Sequence, residues 1–584
     1  MCGIIGFKGK NSAGRIVFEG LKRLEYRGYD SWGIAINDSS LKIFKKPGKI
    51  DFLPKGFEDG SLAIGHTRWA THGRISEKNA HPHLSSNGRI AVVHNGIIEN
   101  FFELKKFLAS KGYSFNSETD TEVIPHLIQF HLGKGLAFRE AVRASLSMLD
   151  GYYAIVAVME GCQELIGARN GSPLVAGIGW QGEFFLASDV PAFLPMTKKV
   201  VFLEDKELVE ISDSLKVFSI DSGKKLNKKP KNIEWNVEQA KKGDFEHFML
   251  KEICEQPETI ARTAMQSQKK FKKVATLISK ADSVFFLGCG SSYHACLAAE
   301  YAFSEIAGKS VKAVLASEFS RHAPLISKKS VVVAVSQSGE TIDLLEAVRL
   351  AKQKNAKTIS IVNVVGSSLT RLCNENLLMN SGPEICVLST KSYTAQLAII
   401  LLLAFSLKGN FIAGKRFIES IAEKAACTIS KNTAKAKEIA KKIAKRQSVF
   451  VIGRGNAFPS ALEAALKIKE VSYVHAEGFA GGELKHGPIA LIEEGVPVIV
   501  FVTPESERQI LSNAMEVKAR GAFLIGVGEK KNEVFDEFFE VQEDGKEGLL
   551  LRIIPIQLLA YHMALERRLD PDKPRNLAKS VTVK

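Results

Sequence analysis

The chain begins MCGIIGF, and the cysteine directly behind the initiator methionine is the first residue whose position carries chemistry. With Met1 removed, Cys2 would hold a thiol and an α-amino group on one residue. A thiol is only a few per cent ionised at neutral pH, whereas an α-amine with a pKa of about 8 can serve as its base. Farther along, GCGSSYH (288–294) offers a glycine turn with two hydroxyls, and SQSGET (336–341) offers three more. Loops of this kind at a helix N-terminus suit a small phosphate. Tyr293 occupies the place of the third glycine of a dinucleotide fingerprint, so a monophosphate fits better than NAD. In ALKIKEVSY, Lys467 and Glu470 are three residues apart on an expected helix, close enough to influence each other's ionisation.

The elements that must position these groups are of two textures. Up to about residue 215, short β-like runs such as SLAIGHTRWA, RIAVVHNGII and GYYAIVAVM are broken by Gly, Asn and Asp, which reads as a sheet-heavy α/β or α+β domain. From about Phe245, apolar strands alternate with long helical patterns, the mark of parallel sheets covered by helices. That part repeats itself: SVFFLGCGSSYHA from Ser283 and SVFVIGRGNAFPS from Ser448 each give a strand, a GxG turn and a helix start. A second strand follows each, VVVAVSQSGET and VPVIVFVTPES. The divisions expected are 1–215, a linker over 216–245, repeats at 246–425 and 426–575, and a tail at 576–584.

Length and composition set further bounds. At 584 residues the chain is too long for one core. The net charge of +15 raises nucleic acid as a partner, but the dense basic run GKKLNKKPKN (223–232) lacks interleaved aromatics and reads as a solvated linker. The eight cysteines show no CxxC pair or zinc spacing, which suits free thiols in the cytoplasm. The apolar run from Leu397 to Leu407 is too short to cross a bilayer and reads as a buried helix, and MCGIIGF is not a signal peptide, so no membrane partner is expected.

The residues of the first part resemble the class II, N-terminal-nucleophile glutamine amidotransferases in order: Cys2, then Arg68, Trp69 and Thr71 in HTRWATHG, His81 in NAHPH, Asn95 and Gly96 in HNGII, and Asp120 in SETDTE. The resemblance implies an αββα glutaminase in which Cys2 attacks the side-chain amide of glutamine and releases ammonia. Arg68 and Asp120 would hold the substrate's carboxylate and ammonium, with Thr71 and His81 beside them. The Asn95 side chain and the Gly96 N–H would stabilise the oxyanion. Each residue also has an ordinary structural reading, Asp120 as a helix cap or Asn-Gly as a hairpin turn. The two histidines of HPH, without further ligands, favour hydrogen bonding over metal.

The second part is similar to sugar isomerase (SIS) domains, and the whole order, with STKSYTAQ, EVSYVHAEGFAGGELKHGPIAL and DKPRNLAKSVTVK, is similar to the glucosamine-6-phosphate synthase family. This implies synthesis of D-glucosamine 6-phosphate from D-fructose 6-phosphate and L-glutamine. His486 matches the family's ring-opening histidine, Glu470 the base that moves a proton from C1 to C2, and Lys579 the lysine that forms a Schiff base with the open sugar. Ser292, Ser336, Gln337, Ser338 and Thr341 match the phosphosugar contacts, with Lys467 in the same site, and Trp69 matches the gate of an ammonia channel. No cofactor, pyridoxal phosphate included, and no metal is implied. His486 would come from a neighbouring subunit, making the enzyme at least a homodimer.

Two departures stand out. The family chain typically ends in Glu and this one in Lys584, and the second repeat has RGNAF where the first has CGSSY, which leaves one sugar site per chain. Two rival readings remain at this point: a glutaminase uncoupled from a phosphosugar isomerase or deglycase, and a phosphosugar-sensing protein that only binds.

Overall fold

The computed structural model describes residues 2–10, 12–38, 40–233, 242–542, 545–546 and 548–582. Met1 and Lys584, whose removal and charge figure in the expectations above, lie outside the described residues. Two compact units result: one holds residues up to 240 together with the C-terminal stretch from 578, the other residues 241–577.

In the first unit, Gly3–Lys8 is a run of small and apolar residues because it is an inner strand, paired antiparallel with Leu62–Arg68 on one side and Phe184–Ala187 on the other. It belongs to an eight-stranded sheet, and a seven-stranded sheet contains Ile90–Ile98, Gly151–Met159 and Leu165–Asn170. Side chains of both sheets meet in one core, including Ile4 and Ile64 from the first and Val93 and Val156 from the second. The helix Ala13–Leu24 packs on strands of the first sheet. Phe101–Ser110, Val123–Leu132 and Phe138–Leu146 share a second core with the other sheet. The layers therefore run helix, sheet, sheet, helix, which is the expected αββα arrangement.

The expected linker starts too early. Leu215–Ser219 pairs with Glu207–Ile211 and buries Val217, while Lys225–Leu226 and Lys231–Asn232 add short pairings at the sheet edges. Edge strands need only one hydrogen-bonded side, so the basic run pairs its backbone there while most of its lysines stay exposed; Lys228 is the exception, half-buried and paired with Glu207 at 2.6 Å and Glu204 at 3.4 Å.

In the second unit the repeat is explicit. Each five-stranded sheet is parallel with the same order: Lys312–Leu315, Ser283–Gly288, Ser330–Ser336, Lys357–Val362, Glu375–Leu378, and then His475–Ala480, Ser448–Gly453, Pro497–Phe501, Phe523–Gly528, Glu537–Glu540. Strand order reverses beside Ser283–Gly288, and ligands of open α/β sheets bind at such a switch point, outside the carboxyl ends of the strands. GCGSSYH and SQSGET follow the two strands that flank it.

One apolar core runs through both repeats, from Met249 to Ala564. The division expected at 425/426 falls inside the continuous helix Phe411–Ile443. Lys391–Leu407 is the buried helix anticipated from its apolar run. Gly548–Glu566 is long and apolar enough to span a membrane by length and composition, yet 89% of that window is buried inside the unit, as a core helix is.

Candidate active sites

Cys2 sits at the entry of the inner strand Gly3–Lys8, and the antiparallel register sets Gly3 opposite Thr67, so Arg68 and Trp69 arrive beside the thiol. The Trp69 N–H donates to Cys2 Sγ at 3.1 Å. Burial pushes the Cys2 thiol above its ordinary pKa, with the Trp69 N–H and the Arg68 charge pulling the other way. The protonated thiol therefore needs a base. Cys2, Arg68, Trp69, Thr71, His81, Gly96 and Asp120 line one cleft. The sequence-derived set of the first unit is thus brought together, with Asn95 reaching it through a 2.9 Å hydrogen bond from Nδ2 to the Cys2 carbonyl.

Gly96 ends the set for a steric reason. Its φ is +129°, and a Cβ there would lie 1.9 Å from the Tyr152 carbonyl oxygen. No residue but glycine suits that backbone. The Arg68 guanidinium donates to the carbonyls of His72, Gly73 and Arg74, so it braces the loop that carries Thr71. Asp120 accepts from the Ile98 N–H at 2.8 Å.

Sequence reasoning missed the layer behind these groups. His66 Nε2 is 3.0 Å from Asn95 Oδ1 and 2.9 Å from the His94 carbonyl, so this nitrogen carries the proton and donates to both. Burial lowers the His66 imidazole to about 3, which keeps it neutral. The His81 ring stacks on it with centroids 4.1 Å apart, and His81 Nδ1 accepts from the His94 N–H. His83 and His94 are tied to Thr119 and Thr121, respectively. Burial also lowers His81, His83 and His94. The signal was present in the quoted motifs, since His66 alternates with Arg68 along one strand and His94 precedes Asn95.

In the second unit, Gly288 admits the turn after its strand because a Cβ would lie 2.6 Å from the Ser292 carbonyl carbon. Ser292 Oγ accepts from Gln396 Nε2 at 3.0 Å. Ser336 Oγ accepts from the Gly339 N–H at 3.0 Å and lies 3.4 Å from Thr341 Oγ1, while Ser338 Oγ accepts from the Glu340 N–H. Gln337 and Thr341 are partly exposed beside them. Neither Ser291–Ala302 nor Ile342–Gln353 has a side-chain cap; the Ser292 and Tyr293 N–H groups donate to the Cys289 and Gly290 carbonyls at 3.2 and 2.9 Å, which leaves the start of Ile342–Gln353 as the better-placed anion donor.

On the helix Phe458–Ser472, Lys467 Nζ pairs with Glu470 at 2.7 Å and with Glu463 at 3.3 Å, and reaches Ser291 Oγ at 3.0 Å. Burial opposes the Lys467 charge, but the carboxylates of Glu463 and Glu470 raise its pKa above the ordinary value. Glu463, Ser291 and His294 were not foreseen. His486 is exposed at the end of the turn Gly481–His486, and its side chain makes no hydrogen bond or ion pair among the described residues. Lys579 is half-buried in the C-terminal stretch. In the second repeat the corresponding turn is filled from within: buried Arg552 donates to Asn456 Oδ1 at 2.9 Å and to the Gly545 carbonyl.

Comparisons with known proteins agree with this division of labour. Residues 66–195 match the glutamine amidotransferase domain family, and residues 277–406 and 442–567 match the SIS domain family. Full-length relatives include the glutamine–fructose-6-phosphate aminotransferase (isomerizing) of Pyrococcus horikoshii, 46% identical, and that of Methanothermobacter thermautotrophicus, 44% identical, each alignment covering all of both chains. Among solved structures, the C-terminal domain of glucosamine-fructose-6-phosphate aminotransferase from Francisella tularensis is 34% identical, with a TM-score of 0.53 over 57% of this chain and 100% of that one. Identity at this level over the entire length, on a fold that carries both a cleft around Cys2 and a doubled sugar isomerase sheet, places the chain in the family of glutamine–fructose-6-phosphate aminotransferases (isomerizing).

Proposed function

We propose that this chain makes D-glucosamine 6-phosphate from D-fructose 6-phosphate and L-glutamine, with Cys2 and Glu470 at the two centres of chemistry. The carrying observation is the convergence of Cys2, Arg68, Gly96 and Asp120 on one cleft, with Asn95 bonded to the nucleophile's own carbonyl. Once Met1 is removed, the Cys2 α-amine takes the thiol proton as sulfur attacks the glutamine amide carbon. The oxyanion is met by the Asn95 amide and the Gly96 N–H, the C–N bond breaks, and ammonia leaves with the proton. Water then cleaves the γ-glutamyl thioester to give glutamate. Arg68, Thr71, His81 and Asp120 hold the amino acid's two charged ends, and Arg68 does so while bracing its loop.

In the sugar half, Ser292, Ser336, Gln337, Ser338 and Thr341 take the phosphate, aided by the uncapped start of Ile342–Gln353. His486 opens the ring, Lys579 captures the carbonyl as a Schiff base, ammonia displaces the lysine at C2, and Glu470 moves a proton from C1 to C2. His486 acts on the site of a second copy, which its exposure and lack of partners support, so the working form is at least a dimer. Trp69, bonded through its N–H to the nucleophile, gates the ammonia path. The protein works in the cytoplasm and needs no cofactor.

The test is a paired assay with glutamine and fructose 6-phosphate. Equal formation of glutamate and glucosamine 6-phosphate, both abolished by Cys2→Ala, supports the coupled reaction. Glutamate without the amino sugar overturns it in favour of an uncoupled glutaminase.

A further inference from the structure

Glu463 has no part in the steps above, yet its side chain is 0% exposed, as is that of Lys467. Glu463 Oε1 accepts from Ser291 Oγ at 2.8 Å, and Oε2 lies 2.8 Å from His294 Nδ1. Since a carboxylate accepts, Nδ1 carries the proton. Lys467 stands between this acid and Glu470, and also donates to the Ser389 carbonyl at 3.3 Å. Ser291 and Ser389 belong to the first repeat, while Glu463, Lys467 and Glu470 lie on one helix of the second. One buried network therefore joins the phosphate loop to the proton-moving carboxylate.

The charges decide what the network does. A buried ammonium 2.7 Å from Glu470 and facing no other anion would hold that carboxylate ionised and make it a weak base. A second carboxylate on the same ammonium relieves this. We propose that Glu463 is a positioning residue for the sugar reaction: it shares the charge of Lys467, which keeps Glu470 basic enough to take the C1 proton, and it holds Ser291 so that the phosphate loop stays in register with that base. The inference rests on the reading of Glu470 as the base.

The titratable groups facing Glu463 are Lys467 and Glu470 on its own helix, His294 on Ser291–Ala302, and Tyr393 on Lys391–Leu407. Burial works against its charge, but Lys467 and His294 outweigh burial and hold the Glu463 carboxyl below the ordinary range. It is therefore an anion whenever Glu470 works.

The experiment follows exchange of the C1 hydrogen of fructose 6-phosphate with solvent deuterium across pH, using the full-length enzyme. Glu463→Gln is expected to move the acid limb of kcat/KM down by about one pH unit, because Lys467 then acts on Glu470 alone, and to raise KM roughly tenfold through the loosened Ser291. His294→Leu removes a competing donor from Glu463, leaves more of that carboxylate's charge to Lys467, and moves the limb the opposite way by less. His294→Asn, whose Nδ2 stands where imidazole Nδ1 stood, leaves it in place. An unshifted limb in folded Glu463→Gln overturns the proposal. If that variant does not fold, an unshifted limb in His294→Leu does so. Glu470→Gln is run alongside: if it still exchanges, the base assignment itself fails, whereas a dead Glu470→Gln with an unshifted limb in the other variants refutes only the role of Glu463.

Discussion

His66 and Asn95 lie on different sheets of the first unit, and the 3.0 Å hydrogen bond from His66 Nε2 to Asn95 Oδ1 joins the two layers directly behind Cys2. With Oδ1 committed, Nδ2 must point to Cys2. The orientation of the Asn95 amide is thereby set by a neutral imidazole, and on the proposed reading removing that imidazole has a defined cost. His66→Phe should lower the glutaminase kcat by about ten- to a hundredfold, less than the roughly hundred- to thousandfold expected for Asn95→Ala, which deletes the donor itself. Sugar hydrogen exchange in the same variants should be unchanged. Equal losses in both half-reactions would mean that His66 supports only the fold.

The histidine cluster makes the first unit acid-sensitive. His66, His81, His83 and His94 all have folded pKa values depressed by burial, below an unfolded value of about 6.5. For a base depressed on folding, the unfolded chain binds the extra proton, so stability is full above the unfolded pKa and falls as pH drops below it. For His66 the loss continues down to about pH 3. Thermal unfolding from pH 7.5 to 4.5 should show the transition of this unit moving down with a slope that His83→Asn reduces. A transition independent of pH in that window would contradict the burial seen here.

Gly96→Ala should fail for steric reasons alone. A Cβ 1.9 Å from the Tyr152 oxygen at φ +129° forces two strands apart, and a loss of about 2–4 kcal/mol is expected together with the glutaminase activity. Chemical denaturation alongside a glutamate release assay checks both. Retention of wild-type stability would show that the strand pairing there is looser than the register implies.

Lys467→Met leaves two acids without their shared cation. Breaking such a buried group costs about 3–5 kcal/mol, and sugar conversion should be lost while glutamine hydrolysis persists. Separate assays of glutamate and glucosamine 6-phosphate distinguish this from general unfolding, which would remove both.

Much of this arrangement could be read from residues adjacent in the chain, and the remainder could not. The strand and GxG turns of SVFFLGCG and SVFVIGRG are local, so both the repeat and the position of its loops were legible. Cys2, Arg68, Gly96 and Asp120 came as an ordered set of motifs. Their supports were not, because each is a meeting of distant segments: His66 with Asn95 across two sheets, and Ser291 with Glu463 across 172 positions. A fully buried glutamate beside a lysine looks, in sequence, like any solvated helix pair. The Lys-rich run misled for a related reason, since the backbone of an edge strand is paired while its side chains advertise only solvent.

The Arg552–Asn456 contact sets the second repeat apart from the first. A turn tied to its own arginine offers fewer free groups to a ligand than one whose loop side chains stay partly exposed. On the proposed reading, the helix after the first strand of that repeat then donates reactive groups to its sibling, supplying Lys467 and Glu470 to a pocket whose ligand contacts would lie on the other repeat. On the proposed reading, one repeat retains recognition and the other contributes reactivity, so two repeats of the same strand order serve a single substrate.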